Sequence, residues 1–179
     1  WDSVVNVATL GLNTLWKQDV MLLIESMKPQ TILELGSGTG TLTFALANNF
    51  PKAKITAMDI SVQYLSIAQQ RSNAMGMKNI SFVRGDAQTP SQFLPSNYFP
   101  NIILSSYLMK YLDNEIFVAD AAKLMNRDSI LITHEIAYPN DALMQFLYNN
   151  HVRFLSGVLS FNPLWKDLAV EMESIFINN

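Results

Sequence analysis

The chain has 179 residues, 49% of them apolar, a net charge of −3 and no cysteine. That length suits one domain with a sizeable core, and no apolar run approaches the roughly 18–20 residues that a membrane span needs. No Lys/Arg cluster supplies the positive surface that nucleic-acid binding requires, and disulfides and thiolate metal sites are excluded outright. The lack of cysteine is compatible with a cytoplasmic protein. The chain opens on Trp1 and shows no signal peptide, and its end at Asn179 has no obvious stop to the fold, so further residues are expected at both ends.

The first segment is helical in pattern. Val4, Val5, Val7 and Leu10 lead to Gly11, and Leu15, Trp16, Val20, Leu22, Leu23 and Met27 follow at mixed three- and four-residue spacing until Pro29 ends the helix. Thr31 to Leu35 reads as the first strand, followed by a helix from near Gly40 to Asn49, which Pro51 blocks. Lys54 to Asp59 is the second strand; Ser61 is an N-cap for a helix from Val62 to about Met75, with Gly76 as its C′ residue. Ile80 to Arg84 and Ile102 to Ser105 are the third and fourth strands, the latter after a loop containing Pro90, Pro95 and Pro100. A helix through Ile116, Val118, Ala121, Leu124 and Met125 precedes the fifth strand, Ser129 to His134. Helices are expected again from Asp141 to Leu159 and from Asn162 to Phe176, with a short strand conceivable at Ser174 to Ile177.

Short Ile-, Leu- and Val-rich strands separated by helices define an α/β protein: a doubly wound, Rossmann-like, mainly parallel sheet with helices on both faces and an N-terminal helical cap. We expect a single domain over 1–179, with the cap at 1–30, a cofactor-binding core at 31–138 and an apolar helical segment at 139–179. Two further strands that would finish such a sheet are not evident.

The most informative stretch is Ile32-Leu33-Glu34-Leu35-Gly36-Ser37-Gly38-Thr39-Gly40. An apolar run feeds into an acid and then into alternating glycines, which lets the backbone turn sharply off a strand and pass close to a nucleotide-like ligand. The dinucleotide pattern G-x-G-x-x-G is not matched, because Thr41 stands where its third glycine belongs. A nicotinamide-binding oxidoreductase and a catalytically silent cofactor-binding module remain the alternatives to the reading that follows.

The Glu34-x-Gly36-x-Gly38-x-Gly40 run resembles motif I of the class I S-adenosylmethionine-dependent methyltransferases. The resemblance implies roles for four strand ends in order. Glu34, Gly36, Ser37, Gly38, Thr39 and Gly40 form the first turn. Asp59, with Ile60, stands where the family places an acid on the ribose hydroxyls. Asp86 and Ala87, after Gly85, stand where it reads the adenine edge, and Ser105 lies beside the methionine part. A narrower likeness is to the ubiquinone/menaquinone biosynthesis C-methyltransferases: Gly11, Trp16 and Lys17 match their N-terminal signature, and Glu34-Leu35 and Gly38-Thr39-Gly40 their motif I. Asn13, Thr14, Gly36, Ser37, Thr41 and the segment Tyr107-Leu108-Met109-Lys110 depart from it.

These resemblances imply methyl transfer from S-adenosylmethionine to a small, apolar or aromatic acceptor similar to a quinone precursor. His134, at the end of the fifth strand with an ordinary pKa near 6.5, is the candidate general base, and Tyr107 is a second candidate catalytic residue. His151, within an apolar helix, is read as structural or as part of a lid. No metal site is expected. The aromatic stretch from Phe154 to Trp165 suits a lid, a homodimer face or a peripheral membrane contact.

Overall fold

A computed structural model gives the structure of residues 12–135 and 140–160. The chain divides into two compact units, one of residues 17–135 and one of the two ends, 1–16 and 136–179. In chain order the elements are α1 (Leu12–Met27), β1 (Thr31–Leu35), α2 (Thr41–Asn49), β2 (Lys54–Asp59), α3 (Val62–Ala74), β3 (Ile80–Arg84), β4 (Ile102–Ser106), α4 (Asn114–Ala121), β5 (Ile130–His134) and α5 (Ala142–Ser160). Single 3₁₀ turns stand at Pro90–Phe93, Met109–Tyr111 and Ala122–Leu124.

Five strands form one sheet in the order β3-β2-β1-β4-β5, and every pairing is parallel. The register seats Ile32 between Ile55 and Ile102. These three, with Leu104 and Ile132, form one apolar layer under Leu42, Leu46 and Ala47 of α2 and Ile24 of α1. The alternate residues Leu33, Leu35, Met58 and Ile103 make a second layer, closed by Phe117 and Ala121 of α4 and by Leu124. Both faces of the central strands are therefore covered, as a parallel sheet requires.

Local chemistry sets the element ends. At the end of α1, Lys28 adopts a left-handed φ of 47° and Pro29 stops the helix. The Ser61 hydroxyl accepts from the Tyr64 amide to start α3. The same helix ends in a Schellman motif, with Gly76 at φ 68° and bonds from Gly76 N to Asn73 O and from Met77 N to Ser72 O.

Most expected boundaries hold within a residue. The exception is the helix expected to run through Met125: α4 stops at Ala121, tightens into the 122–124 turn, and Met125 is already extended. Buried Asp120 anchors this end. It accepts from the Ser91 amide and hydroxyl, both at 2.8 Å, and from Lys123 at 2.7 Å. Burial alone would raise the Asp120 pKa, but these bonds outweigh it and hold the carboxyl below its ordinary value. The expected helices at 4–10 and 162–176 and the strand at 174–177 lie outside the described residues, which contain five strands and an open sheet. The helix expected from Asp141 starts at Ala142, with the Asp141 carboxylate capping the amides of Leu143 and Met144.

Because the chain runs outward from β1 through β2 to β3 and returns to place β4 on the other side of β1, the loops after β1 and β4 diverge. In sheets of this kind such a divergence is where ligands bind, at the carboxyl ends of the strands.

Candidate cofactor and active site

The turn after β1 is built from three left-handed glycines: Gly36 at φ 70°, Gly38 at 53° and Gly40 at 88°. Each is glycine for a different further reason. A Cβ on Gly40 would lie 2.6 Å from the Phe44 ring, which the Arg71 guanidinium covers at 5.0 Å. A Cβ on Gly36 would press on Leu108 at 3.2 Å. A Cβ on Gly38 would meet nothing within 4 Å. Among the described residues, the Gly38 backbone thus borders open space, which leaves room for a close approach by another molecule.

Side chains from three elements hold this turn. Asp59, at the end of β2, accepts from the Gly38 amide at 2.7 Å through Oδ2 and from the Ser61 amide at 2.8 Å through Oδ1. Each carboxylate oxygen has a second lone pair, so both bonds leave acceptor capacity for a hydroxyl donor. Arg71 of α3 donates to the Thr39 carbonyl at 2.9 Å. Glu34 is buried at 3% exposure, and its carboxylate accepts from the Thr43 hydroxyl of α2. Its carboxylate thus braces the turn against α2.

The remaining cofactor candidates line the same edge. Ile60 is 65% exposed directly beside Asp59. Gly85 donates to the Asp59 carbonyl. Asp86 is half-buried and closes an Asx turn on the Gln88 amide, while the Ala87 methyl is packed into the core with Leu35 and Met58. Ser105 is fully buried opposite Leu35. The hydroxyls of Ser37 and Ser105 are both buried without a hydrogen-bond partner. Native proteins rarely leave such groups unsatisfied, and a polar ligand at these strand ends would complete them.

The catalytic candidates meet on the β4–β5 side. The Tyr107 amide extends the ladder by donating to the His134 carbonyl at 2.8 Å, and the two rings lie 4.9 Å apart at a tilt of 48°. Ser106 Oγ is 3.5 Å from His134 Nδ1. Tyr107 has φ 58°, a strained conformation for a bulky residue and one that is concentrated at functional sites. Burial, with the Lys17 charge adding to it, pushes the His134 imidazole below its ordinary pKa of 6.5. It is therefore neutral and able to accept a proton at pH 7.

Sequence reasoning passed over Arg71 and gave no individual role to Leu108 or to Glu135, whose carboxylate accepts from the amides of Leu108 and Met109. Their contacts join positions 26 to 72 residues apart, for which no local pattern exists. Among the described residues, no cluster of three His, Asp or Glu side chains is arranged for a metal.

An open, parallel α/β sheet with a glycine turn and an acid at adjoining strand ends is the architecture of the class I S-adenosylmethionine-dependent methyltransferases, shared with dinucleotide-binding enzymes. The family described as methyltransferase domain matches residues 27–167, and the chain belongs to it. Among curated proteins it is similar to a demethylmenaquinone methyltransferase of Thermotoga maritima, with 26% identity over 89% of this chain and 69% of that one. It is also similar to a malonyl-[acyl-carrier protein] O-methyltransferase of Halalkalibacterium halodurans, with 34% identity over 48% of this chain and 31% of that one. Among solved structures, the YcgJ protein of Bacillus subtilis superposes with a TM-score of 0.57 at 21% identity, covering 74% of this chain and 57% of that one. The chain therefore spans between about a third and about two thirds of these proteins.

The glycines separate strain from space. Gly40→Ala should cost about 2–3 kcal/mol in urea unfolding, from the left-handed backbone and the collision with Phe44. Gly38→Ala should cost only about 1 kcal/mol, the backbone term alone, because its methyl group enters open space.

Proposed function

We propose that the chain binds S-adenosylmethionine across the carboxyl ends of β1, β2, β3 and β4 and methylates a small apolar or aromatic acceptor similar to a quinone precursor. The observation that carries the reading is the open approach at Gly38, beside a carboxylate with acceptor capacity and two unsatisfied serine hydroxyls. The residues fit the group. Asp59 would accept from the ribose hydroxyls, exposed Ile60 would cover an adenine face, and Asp86 with the Ala87 amide would read its edge. Gly36, Ser37, Gly38, Thr39, Gly40 and Ser105 would border the methionine part, and Glu34 would act through Thr43 by holding the turn in place.

When bound, the cofactor supplies a methyl group already activated on a sulfonium. What remains for the protein is to orient the acceptor, exclude water and remove a proton. His134 takes that proton from the acceptor's hydroxyl or ring carbon onto a ring nitrogen. Tyr107, stacked at an angle on the imidazole, orients the acceptor. An apolar acceptor accords with the demethylmenaquinone relative, and with the low polarity of the Tyr107-Leu108-Met109 wall. Apolar side chains exposed on α5, among them Leu143, Phe146 and Phe154, support the expected homodimer or peripheral membrane contact. No helix among the described residues is long and apolar enough to cross a membrane. The lack of cysteine suits a cytoplasmic setting.

Calorimetric titration tests the donor. The protein should bind S-adenosylmethionine saturably and ignore NADH, and Asp59→Ala should weaken binding by about 1.5–3 kcal/mol, the scale of hydrogen bonds to a charged group. Binding of NADH in its place would restore the oxidoreductase reading, and tight binding with no turnover over an acceptor panel would favour a silent module. The base has its own signature. The methylation rate should stay level through neutral pH and fall only below pH 6.5, as His134 gains its proton, and His134→Ala should remove that limb of the profile.

A further inference from the structure

We infer that Glu135 is a positioning residue that sets the shape of the cofactor pocket from the far side of the sheet. The inference rests on the proposed donor site. The last paired residues of β4 and β5 are Ser106 and His134. The chain after β4 makes a sharp reversal: Tyr107 is left-handed, Leu108 is helical, and Met109–Tyr111 form one 3₁₀ turn with Tyr111 N bonded to Leu108 O. A reversal of this kind presents successive amides on one side, and nothing on its own strand can satisfy them.

Glu135 does so. A single oxygen, Oε1, accepts from Leu108 N at 2.8 Å and from Met109 N at 3.0 Å. Among the described residues this carboxylate is the one side-chain partner of these two amides, and it lies 27 and 26 residues away in sequence. Clamped this way, the reversal delivers two side chains to defined places. Leu108 rests against Gly36, with its methyl carbons at 3.2 and 3.3 Å from where a Cβ would stand. Met109 packs with Leu108 against the core layer of Leu35 and Met58.

The consequence is a chain of contacts from the end of β5 to the glycine turn of β1: carboxylate to amides, amides to Leu108, and Leu108 to Gly36. Gly36 begins the turn whose second glycine borders the open approach. Releasing the clamp lets Leu108 leave Gly36 and removes one wall of the pocket, while the Asp59 bonds on the other side stay in place. Release also frees Tyr107, whose strained φ is held by its own bond to His134 and by the clamped residues that follow it. Glu135 touches neither donor nor acceptor in this account; its effect passes through the loop.

Calorimetry with S-adenosylhomocysteine and backbone amide NMR test the inference. Glu135→Ala should raise the dissociation constant about tenfold, the equivalent of losing one of two charge-assisted bonds. It should also move the Leu108 and Met109 amide resonances while those of β1, β2 and β3 hold. Glu135→Gln, whose amide oxygen still accepts from both donors, should restore binding to within about threefold of the parent. Leu108→Ala, which keeps the clamp and deletes the contact with Gly36, should weaken binding in the same direction, and it serves as the test should Glu135→Ala not fold. Unchanged affinity in both alanine variants would overturn the inference, as would Glu135→Gln behaving like Glu135→Ala. If the parent protein itself fails to bind, the donor assignment falls and not the clamp.

Discussion

The carboxylate of Asp59 accepts one hydrogen bond from Gly38 and another from Ser61. With that pair it joins the turn after β1 to the start of α3. Three alternating left-handed glycines cost more conformational entropy than any other three residues would. Such a segment stays in one shape only if something outside it supplies the missing constraint. Asp59 supplies it at Gly38, Arg71 at Thr39, and Phe44 by filling the space beside Gly40. The open space at Gly38 exists because those three contacts hold the turn away from it. The sheet matters to function mainly as the frame that sets Asp59 one strand over from Gly36, in a register fixed by Leu35 against Met58.

The two halves of the site are stabilised differently. On the β1–β2 side, polar side chains hold backbone groups at fixed positions, and open space and unsatisfied hydroxyls remain for a ligand. On the β4–β5 side a half-buried imidazole, a strained tyrosine and an apolar wall stand together. The first arrangement suits a polar donor with many hydrogen-bonding groups. The second suits an acceptor with little polarity and one proton to lose. Burial serves both: it leaves Ser37 and Ser105 unsatisfied without a ligand, and it keeps His134 neutral at the pH where a base is needed.

The fold was legible because its signals are local. Each strand of the sheet is a short apolar run bounded by proline, glycine or an acid, and burial on both faces of the central strands demands that pattern. The ends of α3 could be read from Ser61 and Gly76 for the same reason. Glu34 shows where legibility stops. Its position in the motif marked it as a cofactor residue, but spacing along the chain gives no direction for a side chain, and its bond to Thr43 could not be read there. The early end of α4 was hidden because Asp120 is held by Ser91, 29 residues earlier. The contacts of Glu135 and Leu108 were hidden for the same physical reason. A carboxylate bonded to amides on another loop has no periodicity, and its partners become neighbours only after the sheet is paired.

The central claim is that the donor lies on the glycine turn beside Asp59. An NMR titration of the isotope-labelled protein with S-adenosylhomocysteine tests it most directly. The account predicts that the amide resonances of Gly38, Ile60 and Ala87 shift first and most, with those at the opposite edge of the sheet, Lys28, Gln30 and Lys52, unmoved. Shifts concentrated at that opposite edge, or none at Gly38 under saturating ligand, would contradict it.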